Sequence, residues 1–201
     1  EANYRRVIEV DPSNIEAYSR LAGLLKAQNR LDEARNEYLE IARPRPKAEV
    51  AATTMVGIIL TLQGKHAEAR KEYERALSLD NKAAVAANNL AWYYSEDGSN
   101  LDQALSLAQI AKAGLPKNAD ASDTLGWIYY KKGLASLAVS ALREGISLSP
   151  SNPIIHYHLG LAYLKSGNAP EAQQSLQRAL KLSPAFEGAD NARQVLSSIK
   201  G

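Results

Sequence analysis

Apolar positions along this chain recur in blocks of helical spacing, and the blocks themselves recur about every 34 residues. The stretches Asn14–Pro46, Lys82–Pro116, Asn118–Pro150 and Asn152–Pro184 can be laid on one another almost without gaps. Each runs through an apolar segment with one small residue, an aromatic, a Gly or polar turn, and an alanine-centred segment ending near Pro. The small residues of the first segment are Ala22, Gly57, Ala91, Gly126 and Gly160, and three positions later stand Leu25, Leu60, Tyr94, Tyr129 and Tyr163. The second segment carries Ala34, Ala69, Ala104, Ala138 and Ala172. Four residues on come Tyr38, Tyr73, Ala108, Leu142 and Leu176; seven on come Ile41, Ala76, Ala111, Gly145 and Ala179. The i, i+4, i+7 spacing puts the three on one helical face. Two helices per repeat are predicted, meeting where the small residue lets their backbones approach.

The punctuation agrees. Pro12, Pro46, Pro116, Pro150 and Pro184 are expected to stop the second helix, because proline lacks the N–H and disfavours helix in the residue before it. Asn81 takes that place once, as a softer stop. Asn14, Asn118 and Asn152 stand where the next helix needs an N-cap, with Pro153 at the first helical position. This places full repeats at 15–49, 50–83, 84–118, 119–152 and 153–186, a half repeat at 1–14, and a capping helix at 187–199. Extra residues fall at Arg43–Glu49, a Pro-rich corner, and at Ser95–Asn100, read as a polar loop. The half repeat lacks its partner helix, so an under-covered apolar face is expected near Tyr4 and Ile8. The missing partner and the absence of an initial Met suggest a C-terminal piece of something longer, with a natural-looking end.

The small-residue first helix, the A-x3-[FY]-x2-A second helix and the terminal Pro resemble the tetratricopeptide repeat family over nearly the whole chain. The family's opening Trp is replaced by Tyr18, Thr53, Ala87, Ser122 and His156. The resemblance implies an all-α fold: antiparallel helix pairs stacked in a right-handed superhelical solenoid with a concave groove, closed by the C-terminal capping helix. It also implies a protein–protein interaction scaffold. The runs NNLAWYY (Asn88–Tyr94) and TLGWIYYKKG (Thr124–Gly133) are similar to those in large bacterial envelope proteins of this family. A cytoplasmic and an envelope location both remain open.

Composition narrows the function further. The 24 Lys and Arg against 22 Asp and Glu give a net charge of +2, and the basic residues are dispersed, so no nucleic-acid stripe is present. There is no cysteine and no apolar run near the ~20 residues of a membrane span, so no membrane insertion is expected. His156 and His158 lie about 200° apart around a helix and cannot share a metal. Phosphate-loop, zinc-protease and nucleophile-elbow motifs are all missing, and neither catalysis nor a cofactor is expected.

Carried over by register, the outward side of each first helix lines the groove. Trp92 and Trp127, the only tryptophans, occupy equivalent positions there, with Tyr130, Tyr157 and His158 nearby. Aromatics in a concave surface are typical binding anchors; packing between successive first helices would place the same rings equally well. Asn88, Asn89 and Asp123 offer polar contacts to a partner's backbone. The carboxylate clamp of chaperone-binding relatives is absent, because Thr54, Ile58, Asp120 and Thr124 stand beside Asn89. The segment 50–62 is apolar nearly all round, and Met55, Ile58 and Leu62 suggest an apolar groove patch or a self-association surface. The leading expectation is a groove holding an extended peptide or helix of an unidentified partner. The alternative is a structural module whose 50–62 helix and open N-terminal end drive homo-oligomers.

Overall fold

A computed structural model describes residues 1–42, 46–98 and 100–199. These residues form twelve helices and no strand. In order they are α1 (Ala2–Val10), α2 (Ile15–Ala27), α3 (Leu31–Ala42), α4 (Pro46–Leu62), α5 (His66–Leu79), α6 (Ala84–Asp97), α7 (Leu101–Gly114), α8 (Ala119–Lys131), α9 (Ala135–Leu148), α10 (Pro153–Lys165), α11 (Ala169–Leu182) and α12 (Ala189–Ile199). The chain divides into two compact units, Glu1–Leu90 and Ala91–Gly201.

One turn recurs inside every helix pair, and its chemistry is local. The residue closing it is left-handed: Asn29 at φ 54°, then Gly64, Gly98, Gly133 and Gly167 at 67–82°. Only glycine, or asparagine at some cost, enters that region readily. At four of these turns the next amide reaches back five residues, from Arg30 to Leu25, Lys65 to Leu60, Leu134 to Tyr129 and Asn168 to Tyr163, each at 2.9 Å. This Schellman arrangement satisfies carbonyls that the ending helix leaves over. The turns between pairs are built differently. Asn14 and Asn118 accept from the amides three residues on at 2.9 Å, and Asn152 caps α10 through Ile154 N. Inside the α6–α7 pair, Asn100 caps α7 in the same way, accepting from Gln103 N.

The alanine positions that organise the repeat are all interior. Ala34, Ala69, Ala104, Ala138 and Ala172 are buried, as are Tyr38, Tyr73, Ala108, Leu142 and Leu176 one turn later. The small residues of the first helices seat these larger ones. A methyl group added at Gly57 would lie 2.6 Å from the Tyr73 ring, and at Gly126 and Gly160 it would lie 2.6 Å from Leu142 and Leu176. In the first unit α4 packs between α3 and α5 and touches α2. In the second, α8–α9 and α10–α11 are tight hairpins, and α12 packs on α11. Ala138, Leu142, Ile155, Leu159 and Ala162 form the core joining those hairpins.

Three local expectations change. Pro46 opens α4 instead of following a helix stop, since at the first turn its missing N–H has no partner to lose; α4 therefore starts before Val50. In the Arg43–Glu49 corner, residues 43–45 lie outside those described. Ser95, Glu96 and Asp97 are helical, so α6 is longer than the expected loop allowed; residue 99 of that loop lies outside those described. Ile8 is fully buried, because α1 packs on α2, and the exposed apolar residues of α1 are Val7 and Val10.

Candidate functional site

Within the second unit, the end of α6 from Ala91 on and the first helices α8 and α10 present their aromatic residues to one another. Asp123, Trp127 and Tyr130 share one side of α8 at i, i+4, i+7 spacing. The Trp127 ring stacks on His158 with centroids 4.1 Å apart and planes at 19°, and on Tyr130 at 4.9 Å and 13°. Trp92 and Tyr157 meet the same imidazole at 6.0 and 5.5 Å, both tilted. These separations are those of favourable aromatic pairs.

Polar contacts fix the stack. His158 Nδ1 donates to Asp123 Oδ1 at 2.8 Å, and both residues are interior, 3% and 9% exposed. The expectation that Asp123 offers a polar contact and His158 lines an open groove is thereby corrected: each satisfies the other, and together they tie α8 to α10. Trp127 Nε1 donates to Glu96 Oε1 at 2.9 Å, and Lys131 Nζ reaches the same oxygen at 2.8 Å and the Ser95 carbonyl at 2.8 Å. Lys131 also lies over the Trp127 ring at 5.3 Å, and Lys165 over Tyr130 at 4.6 Å while donating to the Tyr130 carbonyl. Partial burial pushes the Glu96 carboxyl up, but the Lys131 and Trp127 hydrogen bonds outweigh it and hold it below its ordinary range. Asp120 moves the other way, raised by desolvation and by the Asp123 charge.

Beside the stack is a cavity of about 170 Å³ lined by Trp92, Glu96, Trp127, Ile154, Tyr157, His158, Glu187 and Gly188. Its last wall comes from the turn before α12. Gly188 has φ 97°, and a methyl there would meet the Tyr157 ring at 2.6 Å. Phe186 packs on Tyr157 at 5.6 Å, and the Tyr157 hydroxyl donates to Asn191 Oδ1 at 2.9 Å. None of Glu96, Phe186, Glu187, Gly188 or Asn191 is among the expected site residues. Only the glycine before the capping helix hinted at a tight approach. A larger cleft of about 450 Å³ opens among α9, α10 and α11, with Arg143, Arg178 and Glu171 of mixed sign on its lining.

The remaining expected residues lie in the first unit and belong to no such cluster. Asn89 Nδ2 donates to the Val85 carbonyl within its own helix at 2.8 Å. Asn88 Oδ1 is buried without a hydrogen-bond partner among the described residues. Met55 is interior, 1% exposed, because α4 is enclosed by α2, α3 and α5. Ile58 is half-buried and Leu62 is 38% exposed, so the expected apolar patch shrinks to these two. Among the described residues no helix is long and apolar enough to cross a membrane, and no three His, Asp or Glu are placed to hold a metal.

A family model described as "TPR repeat" matches residues 126–167, and models of the tetratricopeptide repeat match 1–54, 53–82 and 153–186. The comparison with curated proteins gave no match. Among solved structures, a thermophilic TPR protein of Thermus thermophilus, TTC0263, is 21% identical, with TM-score 0.63 over 92% of this chain and 98% of that one. YrrB, described as a TPR protein with an unusual peptide-binding site, is 20% identical, with TM-score 0.63 over 95% and 97%. The Cut9–Hcn1 hetero-tetramer chain is 20% identical, with TM-score 0.75 over 98% of this chain and 38% of that one. The repeat matches cover most of the chain and the helical hairpins superpose on solved arrays of the same kind: the protein belongs to the tetratricopeptide repeat family.

Proposed function

We propose that the second unit holds an extended peptide or helix of a partner protein against the face formed by α6, α8 and α10. The fold is that of interaction scaffolds, and relatives of the same fold include one described as peptide-binding and one in a hetero-tetramer. The observation that carries the reading is the aromatic cavity itself. Trp92, Trp127 and Tyr157 line the concave space and are half-buried, and Tyr130, also half-buried, backs Trp127 by stacking on it. Such rings are the anchors that dominate interface energetics, because they lose little entropy for the area they bury. Asp123 and His158 act as the internal brace that presents them. Asn88 has its Oδ1 buried and Asn89 is bonded within its own helix, so neither amide belongs to this face. Self-association through 50–62 would rest on Ile58 and Leu62 alone.

The test is a crosslinking pull-down comparing the wild type with Trp92→Ala and Trp92→Ala/Trp127→Ala, each checked for helix content by circular dichroism. A protein captured by the wild type and lost in folded variants supports the proposal. Equal capture moves the site elsewhere, and self-crosslinks alone, lost with Leu62→Glu, favour the oligomer.

A further inference from the structure

We infer that the cavity beside Trp92 and Tyr157 is a subsite for one basic side chain, a lysine or arginine, of the bound partner; this rests on the proposed peptide-binding role. At about 170 Å³ it is smaller than the ~300 Å³ from which small-molecule pockets begin, and it suits a single long side chain. Its lining combines apolar and acidic residues. Trp92, Trp127, Ile154 and Tyr157 supply the walls, and Glu96 and Glu187 supply the carboxylates. Lysine and arginine have this same division, an apolar stem and a cationic head.

The charges already present offset only part of the acidic lining. Lys131 pairs with Glu96 Oε1 and the Ser95 carbonyl, Lys165 is committed to the Tyr130 carbonyl, and the Glu187 charge is left uncompensated. Both bonds received by Glu96 fall on Oε1, so Oε2 has no hydrogen-bond partner among the described residues. The Glu187 carboxylate has no hydrogen-bond or ion-pair partner among them either. A cationic head entering the cavity thus meets two carboxylates with unfilled acceptor capacity and the open parts of the Trp92 and Tyr157 rings, which attract cations. An acidic side chain would meet the uncompensated Glu187 charge, and a neutral apolar one would leave the carboxylates desolvated.

The two tryptophans are the only ones in the chain and both line the cavity, so their indole N–H signals report on it directly. The experiment is an NMR titration of the full chain with N-acetyl-lysine methylamide and N-acetyl-arginine methylamide. N-acetyl-norleucine methylamide serves as the uncharged control with a comparable stem. Saturable indole shifts with the basic amides, at least about fivefold tighter than with norleucine and weakened severalfold in Glu187→Gln, are expected. Equal binding of norleucine, or binding of the basic amides unchanged by Glu187→Gln, overturns the inference. A random peptide library separates the two levels. Binders that need Trp92 but carry no basic residue sink the subsite and leave the groove standing; no Trp92-dependent binder at all removes both.

Discussion

Gly126 and Gly160 hold no turn; they are interior helix positions where glycine is needed for space. A methyl at Gly126 would lie 2.6 Å from Leu142 Cγ and 3.3 Å from the Ala138 carbonyl. Gly126→Ala is therefore expected to destabilise by about 1–3 kcal/mol, read by urea unfolding. Gly23 is the internal control: it is also helical, but nothing lies within 4 Å of its added methyl. Gly23→Ala should be neutral or gain up to about 1 kcal/mol through helix propensity. The Asp123–His158 bond belongs to the same scale. Asp123→Ala strands a buried imidazole N–H and should lose about 1–3 kcal/mol, and a double-mutant cycle with His158→Ala should return a coupling near that loss. Glu96 and Asp120, two carboxyls near the stack with shifted ionisation, act in opposite directions. Glu96 is held below its ordinary 4.5, so its contribution is present above that pH and lost as pH falls through the folded value. Glu96→Gln should lower the unfolding temperature at pH 7, and the gap to wild type should close in acid. Asp120 is raised above 3.8, so its ionised form opposes folding at neutral pH. Asp120→Asn should raise the unfolding temperature at pH 7, with the gain vanishing below that ordinary value.

At the scale of helices, the turn chemistry is the most legible part of the chain. The Asn caps and the left-handed glycines are local demands, satisfied by residues two to five positions away, and so they show directly in the sequence. Asn118→Ala removes the side-chain cap of α8 and should lose about 1 kcal/mol by thermal or urea unfolding. The first helix pair uses Asn29 at φ 54° where the other four use glycine. Asn29→Gly relieves that backbone position and is expected to gain up to about 1 kcal/mol. The misjudged boundaries had a common origin. Proline reads as a helix stop, yet the same missing N–H makes it a good first residue, and at Pro46 the second property prevails. Ser95–Asp97 read as loop from polarity, yet they extend α6 because Ser95 is buried and Glu96 is bonded to Lys131 and Trp127.

For the molecule as a whole, the repeat is the organising fact, since a helical hairpin of this kind buries its face only against a neighbour. The segment after α11 shows what an array end requires. Ala189 and Ala192 of α12 are buried, and Arg193 bonds Asp190 at 2.6 Å and reaches the Pro184 carbonyl. Removing residues 185–201 should lower the unfolding temperature by roughly 4–8 °C and, by deleting the Phe186–Gly188 wall, abolish indole shifts with basic amides. The 34-residue period, the all-helical class and the identity of the alanine face were determined by the sequence alone, because all three rest on spacing that every repeat restates. Trp92 and Trp127 were legible as a special pair for the same reason. Tertiary structure alone decided which polar residues near them are free and which are spent. Asp123 and His158, 35 positions apart, neutralise each other's hydrogen-bonding needs across two helices, and Met55 vanishes among three helices that its own segment does not reveal. It also brought Glu187 and Gly188 to a cavity whose other walls begin at Trp92. Periodicity specifies which face of a helix is buried; what that face meets depends on long-range packing, which no local pattern encodes.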